Sequence, residues 1–168
     1  FEDMRVPASA LIGKEGEGFK IAMQTLDMAR AIMGIGAVGV AQRAIDEAVA
    51  YSKQRVTFGS AISNHQAIQF MLADMEIRTE TARSMVIQAV TRQEQGLSYS
   101  KESAIAKCYA GDIAVQNALD AIQILGGYGY SREYPVEKLL RDAKIFQIYE
   151  GTNQIQRSVI AKSVIKGR

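Results

Sequence analysis

From about Phe19 to about Gln54 apolar residues return every three or four positions without interruption. Phe19, Met23, Leu26, Ala29, Met33, Ala37, Val40, Ala44, Ala48 and Tyr51 lie on one stripe, and Ile35, Val38, Ile45 and Val49 form a second. That period is the signature of an α-helix. A helix apolar on two sides must sit centrally among other helices or face another subunit. So long a helix sets the scale of the whole chain, which has 168 residues.

The rest of the chain follows the same period. A second helix is expected from Ser63-Asn64-His65-Gln66, with Ser63 and Gln66 as a capping box, to near Gly96. Its stripe is Ile68, Leu72, Met75, Ala82, Val86 and Ala89. A third is expected from Ser100 to Leu125, where Gly126-Gly127-Tyr128-Gly129 stops it. Cys108 lies on that stripe and reads as an inert core thiol. A shorter helix opens at Tyr134-Pro135 and ends near Lys144 to Phe146, and a last one spans Asn153 to Val164. The expected fold is all-α, an up-and-down helical bundle over 14–168, preceded by an extended lead-in over 1–13.

Composition narrows the function classes. The chain is 48% hydrophobic, enough for a sizeable core. A net charge of +2 with interspersed signs offers no basic patch, so no nucleic-acid partner is expected. One cysteine leaves no disulfide within the chain and fits a reducing compartment. No apolar run is long enough for a membrane span. The single His65 cannot supply the two Glu-x-x-His pairs of a di-iron bundle, and no metal is expected. The chain opens at Phe1 rather than Met and without a secretory signal, which reads as a domain cut from a longer protein.

Four places carry candidate chemistry. Gly34-Ile35-Gly36-Ala37-Val38-Gly39 matches the dinucleotide pattern G-x-G-x-x-G. That pattern binds pyrophosphate only where a strand turns into a helix, and here the helical period runs through it. Close packing of another helix is the reading favoured. Arg55, on the break Arg55-Val56-Thr57-Phe58-Gly59-Ser60, suits a phosphate or complements a helix dipole. The Gly126 to Gly129 loop admits a phosphate or simply turns the chain. In Ile148-Tyr149-Glu150-Gly151-Thr152-Asn153-Gln154, Thr152 or Asn153 can cap the last helix. Glu150 is there either a general base among apolar neighbours or an acid near a helix dipole.

Taken together, Asp27-Met28-Ala29-Arg30, Arg55-Val56-Thr57-Phe58-Gly59, His65-Gln66, Gln123-Ile124-Leu125-Gly126-Gly127 and Tyr149 to Arg157 resemble, in this order, the C-terminal domain of the acyl-CoA dehydrogenase family. The resemblance covers nearly the whole chain. Each motif alone is weakly specific, and five in order are strongly so.

The resemblance implies FAD-dependent oxidation of a fatty acyl-CoA to the trans-2-enoyl-CoA. It places the base that takes the α-proton at Glu150, with hydride passing to FAD. Arg55, Phe58, His65, Gln66, Gln123, Gly126 and Gly127 match positions that contact FAD, several of them the flavin of a neighbouring subunit. Thr152, Asn153 and Gln154 match further FAD positions. Asp27 and Arg30 match contacts to the CoA moiety, and Tyr149 and Gly151 lie beside the thioester. Ala29 leaves no carboxylate on the first helix, where some branched-chain relatives carry the base, so a short- or medium-chain substrate is implied. Phe1 to Val6 resembles the last strand of a preceding middle β domain and is expected to pack loosely here.

Implied partners are acyl-CoA, an electron-transferring flavoprotein and further copies of the chain, as dimer or tetramer. The implied compartment is the bacterial cytoplasm or the mitochondrial matrix. Two other readings stand beside this one: a helical oligomerisation module inactive in isolation, and an acyl-CoA oxidase-type flavoprotein.

Overall fold

A computed structural model describes residues 1–167. The long apolar period becomes α1, Gly18–Gln54, about 55 Å long at 1.5 Å per residue. A two-stranded hairpin follows, β1 (Val56–Thr57) paired antiparallel with β2 (Ser60–Ala61). Then come α2 (Gln66–Glu94), α3 (Ser100–Leu125), α4 (Gly127–Tyr130), α5 (Val136–Ile145) and α6 (Asn153–Ile165). The chain is an all-α up-and-down bundle, as its periodicity predicts. The three long helices pack against one another pairwise, and α5 and α6 both lean on α3. With neighbours on all these sides, α3 is the spine of the molecule.

The core runs in two stretches. One gathers Ala44, Ile45, Ala48, Met75, Ala121, Ile124, Leu125 and Val136. The other gathers Ala37, Val38, Ala41, Ala82, Ala110, Ile113, Ala114 and Ala143. So many alanines let the helix backbones approach closely. Gly34 and Gly36 of the G-x-G-x-x-G stretch also admit close neighbours, while Gly39 faces open space. A Cβ on Gly34 would stand 2.9 Å from Val86 Cγ2 of α2, and one on Gly36 would stand 3.1 Å from the Phe146 ring. The stretch lies inside α1, with no strand before it.

A buried polar network ties α2 to α3. Asn117 donates from Nδ2 to Thr79 Oγ1 at 2.8 Å and to the Met75 carbonyl at 3.1 Å. Arg78 Nε donates to Asn117 Oδ1 at 2.9 Å and the guanidinium also pairs with Asp120. Satisfied in this way, the group costs little to bury and fixes the register of the two helices.

Four sequence expectations are corrected. Ser63 and Gln66 form no capping box: Ile62–Asn64 is a 3-10 turn, His65 takes the N-cap position and no side chain caps α2. The break after α1 is a hairpin, and the glycine run after α3 contains the short helix α4. Phe19 and Met23 belong to the α1 period but are exposed rather than buried. Residues 1–16 are exposed throughout, with one 3-10 turn at Ala8–Ala10, and Phe1 to Val6 pairs with no strand.

Candidate active site

The turn between α5 and α6 is built from backbone that L-residues avoid. Glu150 has φ +54° and Gly151 φ +86°. The left-handed region costs a non-glycine residue roughly 1 kcal/mol. Such strain persists only where surroundings over-determine it, and it concentrates at functional sites. Gly151 needs its missing Cβ, because one there would stand 2.8 Å from Gln156 Nε2.

The surroundings are specific. Thr152 caps α6, its Oγ1 accepting from the Ile155 amide at 3.3 Å. Asn153, only 3% exposed, fastens the start of α6 to α3. Its Nδ2 donates to the Cys108 carbonyl at 3.0 Å and to Asp112 Oδ1 at 2.8 Å, and its Oδ1 accepts from Lys107 Nζ at 3.0 Å. Lys107 Nζ also donates to the Gly151 carbonyl at 2.8 Å. From α6, Gln156 Nε2 donates to the carbonyls of Glu150 and Gly151 at 3.2 and 2.9 Å.

On this pinned turn Glu150 is half-buried, and its Oε2 is shut from solvent without a hydrogen-bond partner. Tyr149 beside it stacks edge-on against Phe146 with centroids 5.5 Å apart. Burial, and then the Glu150 carboxylate, push the Tyr149 phenol above its ordinary pKa. Burial lowers the Lys107 pKa, opposed by Cys108, Asp112 and Glu150 and reinforced by Arg30. Arg30 on α1 is 6% exposed, pairs with Asp27 and leaves its Nε buried without a partner. So α1, α3 and the turn bring both Arg30 and Glu150 within electrostatic reach of Lys107.

The lowered Lys107 pKa carries a pH prediction. Between that lowered value and the ordinary 10.5, the unfolded chain binds more protons than the folded one, so this group's contribution to stability rises with pH across that window. Thermal melts of the wild type and of Lys107→Met should therefore move in the wild type's favour as the pH climbs toward 10.5. A stability gap that is flat across the window would contradict the burial of a protonated lysine.

A second feature lies at the other end of α3. A cavity of about 630 Å³ is lined by Tyr51, Arg55, Thr57, His65, Gly126, Gly127 and Tyr128 among others. Thr57 Oγ1 and His65 Nε2 are hydrogen-bonded at 3.0 Å. A Cβ built on Gly126 or Gly127 meets no atom within 4 Å, so the backbone there is open to a ligand. Phe58 stands at the hairpin tip, fully exposed at φ +52°, with its ring 6.4 Å from that of His65. Gln66 and Gln123 are exposed on the adjoining helix ends and do not line the cavity.

Two smaller hollows hold the remaining sequence candidates. Thr152 and Gln154 line one of about 170 Å³ with Lys144, Gln147 and Arg157. Asn153 lines it too, with its amide tied inward. Asp27 lines one of about 300 Å³ with Gln24 and the Gly96 to Ser100 connection. Lys107 is the site residue that sequence reasoning missed. The signal was its place among small and apolar residues in Ser103-Ala104-Ile105-Ala106-Lys107-Cys108.

The chain is thus a helical bundle that presents a half-buried carboxylate, one oxygen without a partner, on a strained turn. The family model for the acyl-CoA dehydrogenase C-terminal domain matches residues 16–165. The chain belongs to that family. It is 52% identical over 167 residues to an acyl-CoA dehydrogenase of Bacillus subtilis strain 168, covering 99% of this chain and 44% of that protein. It superposes with a TM-score of 0.96 on the butyryl-CoA dehydrogenase of Megasphaera elsdenii, at 48% identity over 98% of this chain and 43% of that one. A chain from the structure of the electron transferring flavoprotein of Acidaminococcus fermentans matches equally well, with a TM-score of 0.96 at 51% identity over 99% of this chain and 44% of that one. The chain thus spans under half the length of the curated relatives it matches.

Proposed function

We propose that this chain is the C-terminal domain, residues 14–168, of an FAD-dependent acyl-CoA dehydrogenase, with residues 1–13 leading in from a preceding β domain. Its substrate is a short- or medium-chain acyl-CoA and its product the trans-2-enoyl-CoA. The observation that carries this reading is Glu150: a carboxylate on a left-handed turn, with an oxygen buried and unpartnered.

An α-proton next to a thioester is weakly acidic, so its removal needs a base that is oriented and partly desolvated. The turn supplies both. Tyr149 and Phe146 keep water from one side. Lys107 places positive charge near the carboxylate without bonding its Oε2, which leaves that atom free to accept the α-proton. Asp27 and Arg30, on the adjoining stretch of α1, hold the CoA portion.

The residues present fit FAD. The large cavity combines a fixed cation at Arg55, aromatic faces at Tyr51 and Tyr128, and bare backbone at Gly126 and Gly127. When bound, FAD supplies the acceptor for the β-hydride. Lys107 and Leu125 stand about 27 Å apart along α3. That separation supports two assignments: Glu150 serves this subunit's own flavin, and Arg55, Phe58, His65, Gln66, Gln123 and the glycine turn serve the flavin of a second copy. Thr152, Asn153 and Gln154 complete the contacts to the first. Homo-oligomerisation also agrees with the exposed apolar Ile32, Ile35, Ile87 and Val90. Electrons then leave through an electron-transferring flavoprotein, in the cytoplasm of a bacterial cell. Among the described residues no helix is long and apolar enough to cross a membrane.

Phe58 tests the cavity assignment. Phe58 and Gly59, at φ +52° and +78°, form the two-residue turn of the hairpin. Phe58→Gly relieves a strained position worth about 1 kcal/mol, yet it removes an exposed ring from the cavity's edge. The expected result is a melting temperature that holds or rises while FAD binds more weakly. Unchanged FAD affinity would remove Phe58 from the flavin contacts.

The whole reading is tested by anaerobic titration of the full-length protein with butyryl-CoA and octanoyl-CoA. Bleaching of an oxidised flavin band is expected, and the better substrate sets the chain-length class. A protein that holds no flavin would leave the helical assembly module as the function.

A further inference from the structure

Lys107 is out of place on energetic grounds. It is 1% exposed, near the middle of the most buried helix, among Ala104, Ala106 and Ala110. Burying an ammonium is costly unless hydrogen bonds replace its water. An apolar side chain of that length would fill the space without the cost.

Its bonds explain where it points. Nζ reaches the Gly151 carbonyl at 2.8 Å and Asn153 Oδ1 at 3.0 Å. Both acceptors belong to the turn that carries Glu150, and neither is a carboxylate. Gln156 Nε2, from α6, meets the same Gly151 carbonyl at 2.9 Å and the Glu150 carbonyl at 3.2 Å. Two buried donors, on two helices, therefore grip the two carbonyls that follow the Glu150 and Gly151 α-carbons. These carbonyls fix the dihedrals around Glu150, and so the direction in which its side chain leaves the backbone. The left-handed values there need such a grip to persist. A cation makes the stronger one, because charge-assisted hydrogen bonds are about twice as strong as neutral ones.

We propose that Lys107 is a positioning residue for Glu150: its buried ammonium holds the left-handed Glu150–Gly151 turn and thereby aims the carboxylate at the substrate's α-carbon. The inference rests on the reading of Glu150 as the base. Lys107 touches no reacting atom. Its effect is on the fraction of turnovers in which base and α-proton are aligned, and a displacement of about 1 Å at such a site costs on the order of 100-fold in rate.

The test compares Lys107→Met, Lys107→Gln and Glu150→Gln with the wild type in the full-length flavoprotein. Three quantities are read: flavin content, anaerobic flavin reduction by butyryl-CoA, and the split between kcat and KM. Lys107→Met keeps an unbranched stem one heavy atom shorter and removes the charge and the donors. It is expected to retain FAD and an almost unchanged KM, while flavin reduction at saturating substrate falls roughly 100-fold. Lys107→Gln keeps a donor and is expected to fall between Lys107→Met and the wild type. Reduction of Lys107→Met at the wild-type rate, beside an inactive Glu150→Gln, overturns the proposal alone. Loss of flavin or of the folded helices in both Lys107 variants also overturns it, because it assigns the residue a purely structural part. A Glu150→Gln protein that is reduced at the wild-type rate overturns the reading beneath.

Discussion

Replacing Glu150 by Gln in the full-length protein is expected to slow flavin reduction by acyl-CoA about 1,000-fold or more while FAD stays bound. That factor corresponds to about 4 kcal/mol of lost transition-state stabilisation. Gln keeps the size and planarity of the side chain. It leaves in place the grip on the turn, which uses the carbonyls of Glu150 and Gly151 rather than the carboxylate. What it removes is the oxygen that can take a proton. The lost rate then reports chemistry and not folding. Stopped-flow reduction under anaerobic conditions measures it. A variant that retained full activity would show that another group removes the proton.

Asn153→Ala is expected to produce the largest loss of stability, about 3 kcal/mol. One amide joins two helices, α3 and α6. It bonds the Cys108 carbonyl and Asp112 on α3, accepts from Lys107, and sits at the first position of α6. Truncation removes the second bond to the Cys108 carbonyl, which keeps its helical partner within α3, leaves Asp112 Oδ1 one donor short and takes one of two acceptors from a buried cation. Partners left unmatched in the interior cost more than the bonds they once made. For a chain of this size the melting temperature should fall by roughly 5–10 °C. Arg157 still pairs with Asp112 at 2.6 Å, so α6 should remain attached while its first turn loosens. A shift of under a degree in a thermal melt would mean that the turn is held by packing alone.

The parts of the fold that were legible in the sequence are those governed by period. α1 and α3 begin and end almost where the apolar repeat and the glycines place them. Thr152 was legible as a cap because its bond to Ile155 is local. The second helix start was misread for an equally local reason. Ser63 and Gln66 have the right spacing, but a backbone bond from the Ile62 amide to the Arg55 carbonyl at 2.8 Å draws the chain into the hairpin and a 3-10 turn. Strands of two residues carry no period, so β1 and β2 leave no signal.

The site was legible in part. Arg55, His65, Gly126 and Gly127 come together around one cavity, and Glu150 stands on the strained turn. Lys107 could not be found by period, because a lysine on a helix ordinarily marks the wet face. It is buried only because α1, α2, α5 and α6 all pack on α3. The network of Arg78, Asn117 and Asp120 was hidden for the same reason, since its bonds cross between helices.

The measurement that bears most directly on the central claim is exchange of the α-proton. Full-length wild type and Glu150→Gln would be incubated with butyryl-CoA in D₂O without an electron acceptor, and deuterium at the α-carbon followed by mass spectrometry. The wild type should incorporate deuterium and Glu150→Gln should not. Equal incorporation by the two proteins would contradict Glu150 as the base and return it to an acidic residue at the start of a helix.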